Sequence, residues 1–166
     1  MQLIKHLAEV MHVTILLIDL LASETLNLLN GLACTQDPSL ILWFLNQHLK
    51  INPIIRDQDL AASIQRIARS SHGNQIAWNW IRDNWEQLFI KWGKSGSSLS
   101  GIIEAVSSRF INSRQRDEFI TFANSITNKG TAYRQFQLSL DKIYAAIEWN
   151  RVKKSRSSSN IVRITD

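Results

Sequence analysis

The chain has 166 residues, 45% of them hydrophobic and 20% charged. That balance excludes an intrinsically disordered chain, and the length suffices for one domain with a sizeable core. A single cysteine excludes an internal disulfide framework and a cysteine-based zinc knuckle, and a formal net charge of +5 makes the location of the basic residues the first question.

The excess charge lies near the C-terminal end. Residues 1–150 hold 14 Lys and Arg against 13 Asp and Glu, whereas 151–166 hold Arg151, Lys153, Lys154, Arg156 and Arg163 against Asp166 alone. The body is therefore nearly neutral. Residues 155–166 are Ser-rich and lack helical periodicity, so they read as a disordered basic tail. A solvated terminus accounts for such a segment. An arm for phosphates or for a membrane surface would call for more like charges, or for aromatics between them.

Residues 1–22 form an apolar segment that reads as a buried amphipathic helix, with Leu3, Leu7, Val10, Met11 and Thr14 at helical spacing. A degenerate signal or anchor is the alternative. His12 and Asp19 interrupt the apolar run, so it is too short to span a bilayer.

Ser23 can cap a helix from Glu24 to about Cys34, in which Cys34 reads as a small buried hydrophobe. Asp37-Pro38 starts the next helix, because Asp accepts bonds from orphan amides and Pro at the first helical position loses no hydrogen bond. Its apolar positions are Ile41, Phe44, Leu45, His48 and Leu49, and Asn52-Pro53 ends it. Asp57 and Asp59 open a third helix with Leu60, Ile64, Ile67 and Ala68 on one face. A longer helix runs from Asn74 to Trp92 with two apolar stripes, the pattern of an element packed on two sides. After a glycine- and serine-rich loop, Leu99 to Phe110 marks a fifth helix, and Asn112 or Ser113 caps a sixth. Asn128-Lys129-Gly130 reads as a helix stop, and a last long helix carries Tyr133 to Ile147 and ends near Trp149 to Lys154. No sustained period-2 run occurs. The expected class is all-α: about seven to eight helices in stacked antiparallel hairpins, a HEAT- or armadillo-like superhelix.

Chemistry is sparse. His6, His12, His48 and His72 form no H-E-x-x-H arrangement, and all four read as structural, His48 as a cation at a helix end. The carboxylate pairs Asp57/Asp59 and Asp117/Glu118 fall at helix starts, where capping explains them. The glycine-rich loop lacks the phosphate-cradle spacing, and the four tryptophans from Trp78 to Trp92 fit core packing better than base stacking. No catalytic, cofactor-binding or metal-binding residue is expected, and substrate-binding residues are not identified. The residues indicate a helical, non-catalytic module.

The blocks LNGLACTQDPSLI, IRDQDLAASIQRIA, GNQIAWNWIRDNWEQLFIKWG, LSGIIEAVSSRFINSRQRDEF and SLDKIYAAIEWN follow in unbroken order. Together they resemble the C-terminal helical domain of zinc aminopeptidases of the aminopeptidase N type. The similarity runs from about Ser23 to about Lys154, and Ala77 to Trp85 with Ala33 to Pro38 are its specific parts. The resemblance implies a parent enzyme that removes N-terminal residues from peptides with one zinc ion, held in a separate catalytic domain upstream. It implies that residues 23–154 are a partial helical domain that closes over a substrate chamber and influences which peptides fit. A homodimer is a further implication, as is a membrane-anchored or extracellular parent, with a cytoplasmic one left open.

The departures are specific. This sequence lacks the zinc motif, the motif that holds the peptide's amino end and the catalytic tyrosine region, so the expectation is a fragment inactive alone. Gly73-Asn74 replaces the family's glycine-arginine pair, Asn150 replaces an apolar residue, and neither residues 1–22 nor the basic tail matches. Basic side chains facing a chamber could hold peptide carboxylates, and Arg109 and Arg134 are candidates by residue type alone. A stand-alone helical interaction scaffold is the second reading. The near-neutral body argues against nucleic acid, and no membrane span is expected.

Overall fold

The computed structural model describes Asn27, Gly31 and residues 33–49, 57–94 and 96–162, the side chains of residues 57, 58 and 154–162 excepted. The expectations for residues 1–22 and for most of the helix from Glu24 lie outside the described residues, as does the Asn52-Pro53 stop. Among the described residues every regular element is helical: α1 (Pro38–Gln47), α2 (Asp57–Arg69), α3 (Asn74–Asp83), α4 (Trp85–Trp92), α5 (Ser98–Ser107), α6 (Ser113–Ser125), a 3-10 turn (Gly130–Ala132) and α7 (Tyr133–Val162).

Two helix starts follow directly from local chemistry. Asp37 accepts from the amides of Ser39 at 2.8 Å and Leu40 at 3.3 Å, with Pro38 at the first helical position. Asn112 accepts from the Gln115 amide at 3.0 Å, and the Gln115 side chain reaches back to the Ile111 amide at 2.9 Å. This reciprocal arrangement satisfies two orphan donors, as a capping box does. Asp117 and Glu118 therefore do not cap α6; they lie in its second turn.

α2, α5 and α7 are neighbours in that order, α1 packs on α3, and α5 also meets α3 and α4. α6 packs on α7, and its rings also meet those of α3 and α4. α5 is the central element: Leu99, Ile102, Ile103, Ala105 and Val106 are all fully buried. Asn74 ties three helices together, because its Nδ2 donates to the carbonyls of Ala68, at the end of α2, and of Val106, at the end of α5. α5 and α7 share a second buried polar contact, in which the Ser107 and Ser139 hydroxyls meet at 2.8 Å.

Four local expectations need correction. The segment Asn74–Trp92 is two helices, not one. At Asn84 the backbone turns to φ −115° and ψ 18°, and the side-chain Nδ2 donates to the Trp80 carbonyl at 2.8 Å. A side chain competing for a helix carbonyl is the usual reason a polar residue interrupts a helix. Gly130 opens the turn that leads into α7 instead of stopping α6. It adopts φ +48°, and a Cβ there would collide with the Gly93 carbonyl oxygen, which accepts from the Thr131 amide at 3.0 Å. α7 continues to Val162, well past Lys154, since no Gly or Pro follows Thr131 to stop a helix already nucleated on the core. Cys34 is exposed; Ala33 beside it takes the core position.

Candidate functional site

The aromatic residues of α3 and α4 organise the face of the molecule that carries its open clefts. Trp78 packs edge-on to Phe110 and Phe122 and stacks on Phe119, with centroids 5.2–5.8 Å apart. Trp85 continues the cluster by edge contacts with Phe122 and Phe136. Trp78, Trp80, Trp85 and Trp92 are all buried, so the tryptophan block is core, as its spacing within one stretch implied. Two of its indole groups are bonded: Trp80 Nε1 donates to Asn46 Oδ1 at 2.8 Å, and Trp78 Nε1 donates to Glu118 Oε2 at 3.3 Å. Glu118 also accepts from Arg114 at 2.9 Å, and this bond, more than the tryptophan's, holds its carboxyl below the ordinary range.

Arg82 sits above this cluster. Its guanidinium lies 5.2 Å from the Trp78 ring centroid, and Nη2 donates to Asn79 Oδ1 at 2.7 Å. Two open clefts meet at it. One, of about 530 Å³, is walled by Trp85, Phe89, Ile90, Phe122 and Ile126; the other, of about 600 Å³, adds Arg114, Asp117, Glu118 and Thr121. Both share Arg82, Phe122 and Ser125, so they form one groove along α4 and α6. Its charged lining is Arg82 and Arg114 with the carboxylates Glu86, Asp117 and Glu118. Such a lining can bind and position by shape and apolar contact. It holds no nucleophile paired with a base, and among the described residues no group of three His, Cys, Asp or Glu could hold a metal ion.

The candidates named from residue type are scattered. Arg109 lies in the turn after α5 and donates to the Arg69 carbonyl at 3.1 Å. Arg134 is exposed in the first turn of α7. Arg82 and Arg114, which do line the clefts, were not singled out, because nothing in their sequence spacing distinguishes them from other surface arginines.

His48 departs from expectation in a different way. It is fully buried, with Nδ1 2.7 Å from the Phe44 carbonyl and Nε2 hydrogen-bonded to Ser63 of α2. A carbonyl only accepts, so Nδ1 carries a proton; the Ser63 hydroxyl, with a single proton, lies between Nε2 and the Leu60 carbonyl, 2.8 Å away. Desolvation, reinforced by the nearby Lys91 cation, lowers its pKa to about 4. His48 is therefore neutral near pH 7, not the cation that its place at a helix end implied. Its position after Phe44 on the apolar stripe was the signal for burial. Lys91 supplies the charge at this helix end instead, donating to the His48 carbonyl at 3.1 Å.

The ERAP1-like C-terminal domain family matches residues 17–145. The chain belongs to that family. Among its relatives, mouse (Mus musculus) aminopeptidase N is 33% identical over 139 residues, which cover 81% of this chain and 14% of the relative. Aminopeptidase A of Gloydius brevicauda is 30% identical over 129 residues, covering 78% and 13%. The thyrotropin-releasing hormone-degrading ectoenzyme of Rattus norvegicus is 30% identical over 131 residues, covering 78% and 12%. The chain thus spans about a seventh of the relatives' length, and within this family it corresponds to a helical region. The match includes the tryptophan cluster, the groove and Asn74. No helix among the described residues is long and apolar enough to cross a membrane.

Proposed function

We propose that this chain is a non-catalytic C-terminal part of a zinc metalloaminopeptidase, which caps the chamber of the catalytic domain and shapes which peptides enter. The parent reaction is removal of N-terminal residues from peptides, with zinc in the catalytic domain. The observation that carries this reading is the family match over 17–145 combined with coverage of only 14% of aminopeptidase N. The reacting groups then belong to the rest of the enzyme. What these residues supply is a wall: packed helices, read as a HEAT- or armadillo-like stack, with a groove of mixed charge that peptide side chains can enter. Excluding water and limiting peptide length are the physical contributions of such a wall. A homodimer through this domain and a membrane-anchored or extracellular parent belong to the same reading.

The test is a chimera in which residues 33–145 replace the matching segment of mouse aminopeptidase N. The expected enzyme still cleaves a single amino-acid amide, and its preference among peptides of increasing length changes. An unchanged length profile in an active chimera refutes the selection role. Stable capture of a partner by the isolated chain, with no effect in the chimera, favours a stand-alone interaction scaffold.

A further inference from the structure

We propose that His48, Ser63 and Lys91 form a proton-operated latch at the end of α1, by which acid frees α1 while the other helices stay packed. The latch stands apart from the parent reaction and holds whether or not the chain walls a peptide chamber. α1 packs mainly on α3, and its outer side is bare: Leu40, Leu42 and Trp43 are exposed. Burial of Ile41, Phe44 and Leu45 holds the inner side. Among the described residues, three hydrogen bonds join α1 and its cap residue His48 to other helices. They run from Trp80 Nε1 to Asn46, between the His48 ring and Ser63, and from Lys91 Nζ to the His48 carbonyl. Two of the three end on His48.

The hydrogen bonds around the ring can accommodate a second proton. In the neutral ring Nδ1 donates to the Phe44 carbonyl, and Nε2 competes with the Leu60 carbonyl for the one Ser63 proton. In the imidazolium, Nε2 donates to Ser63 Oγ and the hydroxyl turns wholly to Leu60, so each of these groups has a partner. What opposes the proton is charge. The ring is fully buried, and the Lys91 ammonium sits on the carbonyl of the same residue at 3.1 Å. Among the described residues no carboxylate bonds the ring. α1 itself carries no charged residue. On α2, Asp59 is engaged in a contact of its own and Arg66 is exposed. On α3, Trp80 meets α1 through Asn46, while Arg82 stacks on Trp78. A docked imidazolium is thus bonded but uncompensated, and release into water removes that penalty.

The docked ring titrates at about 4 and a solvated one near 6.5, so the released helix takes up the proton first. Between about pH 7 and about pH 5, opening of α1 is expected to become about 20-fold more frequent. The experiment is thiol labelling of the full chain in a Cys34→Ser background, with Leu45→Cys as the reporter in α1 and Val106→Cys in α5. Both positions are fully buried, so labelling requires opening. Rates are divided by that of free cysteine at the same pH, and far-UV circular dichroism confirms folding. Ile41→Cys is a second reporter in α1, should Leu45→Cys not fold. The α1 thiol is expected to label about 20-fold faster at the lower pH, with the α5 thiol far slower at both. Adding His48→Gln is expected to abolish most of the rise, and Lys91→Met, which removes the repelling charge, to reduce it. The proposal is overturned by an α1 rate that ignores pH, or by α1 and α5 thiols that label at one common rate. A rise as large as the parent's in either folded variant overturns it too.

Discussion

His48 makes the stability of this domain depend on pH in a definable window. Its imidazole titrates at about 4 in the folded chain against an ordinary 6.5. Between those values the unfolded chain holds a proton that the folded chain refuses. Stability is therefore fully present above about pH 6.5, falls as pH drops, and reaches its low plateau below about pH 4. The full loss amounts to about 3 kcal/mol, and about 2 kcal/mol of it has gone by pH 5. For a domain whose net stability is of order 5–15 kcal/mol, that is a large share. The paired carboxylates act in a separate window. Glu104, bonded to Lys142, and Glu118, bonded to Arg114, have pKa values held below 4.5, so their contribution disappears only as pH falls further. Urea unfolding followed by far-UV circular dichroism at about pH 7 and about pH 5 isolates the histidine. His48→Gln cannot gain the proton, so the variant is expected to lose far less stability between those two conditions than the parent chain. An equal pH-dependent loss in both chains, or a parent chain with no loss, would refute the reasoning.

Asn74→Ala removes both bonds to the Ala68 and Val106 carbonyls and leaves them buried; a loss of about 2–3 kcal/mol is expected, read from the shift in urea midpoint. Gly130→Ala forces a side chain into left-handed backbone against the Gly93 carbonyl, and the expected loss of about 2 kcal/mol or more would appear as a lower melting temperature. By contrast, Lys142→Met removes an exposed ion pair with Glu104, and its expected effect on the same measurement is under about 1 kcal/mol. The purified chain with added zinc is expected to release no amine from a fluorogenic amino-acid amide; zinc-dependent release would contradict the assignment of chemistry to another domain.

The helical rhythm was legible because local signals and burial agreed. Asp37-Pro38 started α1 for the reasons visible in its residue types, and the stripe Leu60, Ile64, Ile67, Ala68 became the buried face of α2. Where the sequence misled, a tertiary contact outweighed a local preference. Asn84 is a local exception: it breaks a helix whose apolar stripes run through it, and its side chain shares the Trp80 carbonyl with its own backbone amide. His48 has the residue type of a surface cation, but Ser63, fifteen positions later, gives it a buried partner. The groove at Arg82 was the least legible feature. Its walls come from α3, α4 and α6, and which side chains converge there depends on the angle between helices, which no spacing rule encodes. Family resemblance supplied the family membership that residue chemistry left open.

The central place of α5 has a consequence for how the domain opens. It is covered by α2, α3, α4 and α7, so its amides reach solvent only when several neighbours separate together. Hydrogen exchange in Ile102, Ile103 and Val106 therefore follows global unfolding, while α1, which packs mainly on α3, can fray on its own. A protease that clips α1 would leave the wall of the groove standing; one that gained access to α5 would find the whole domain already undone.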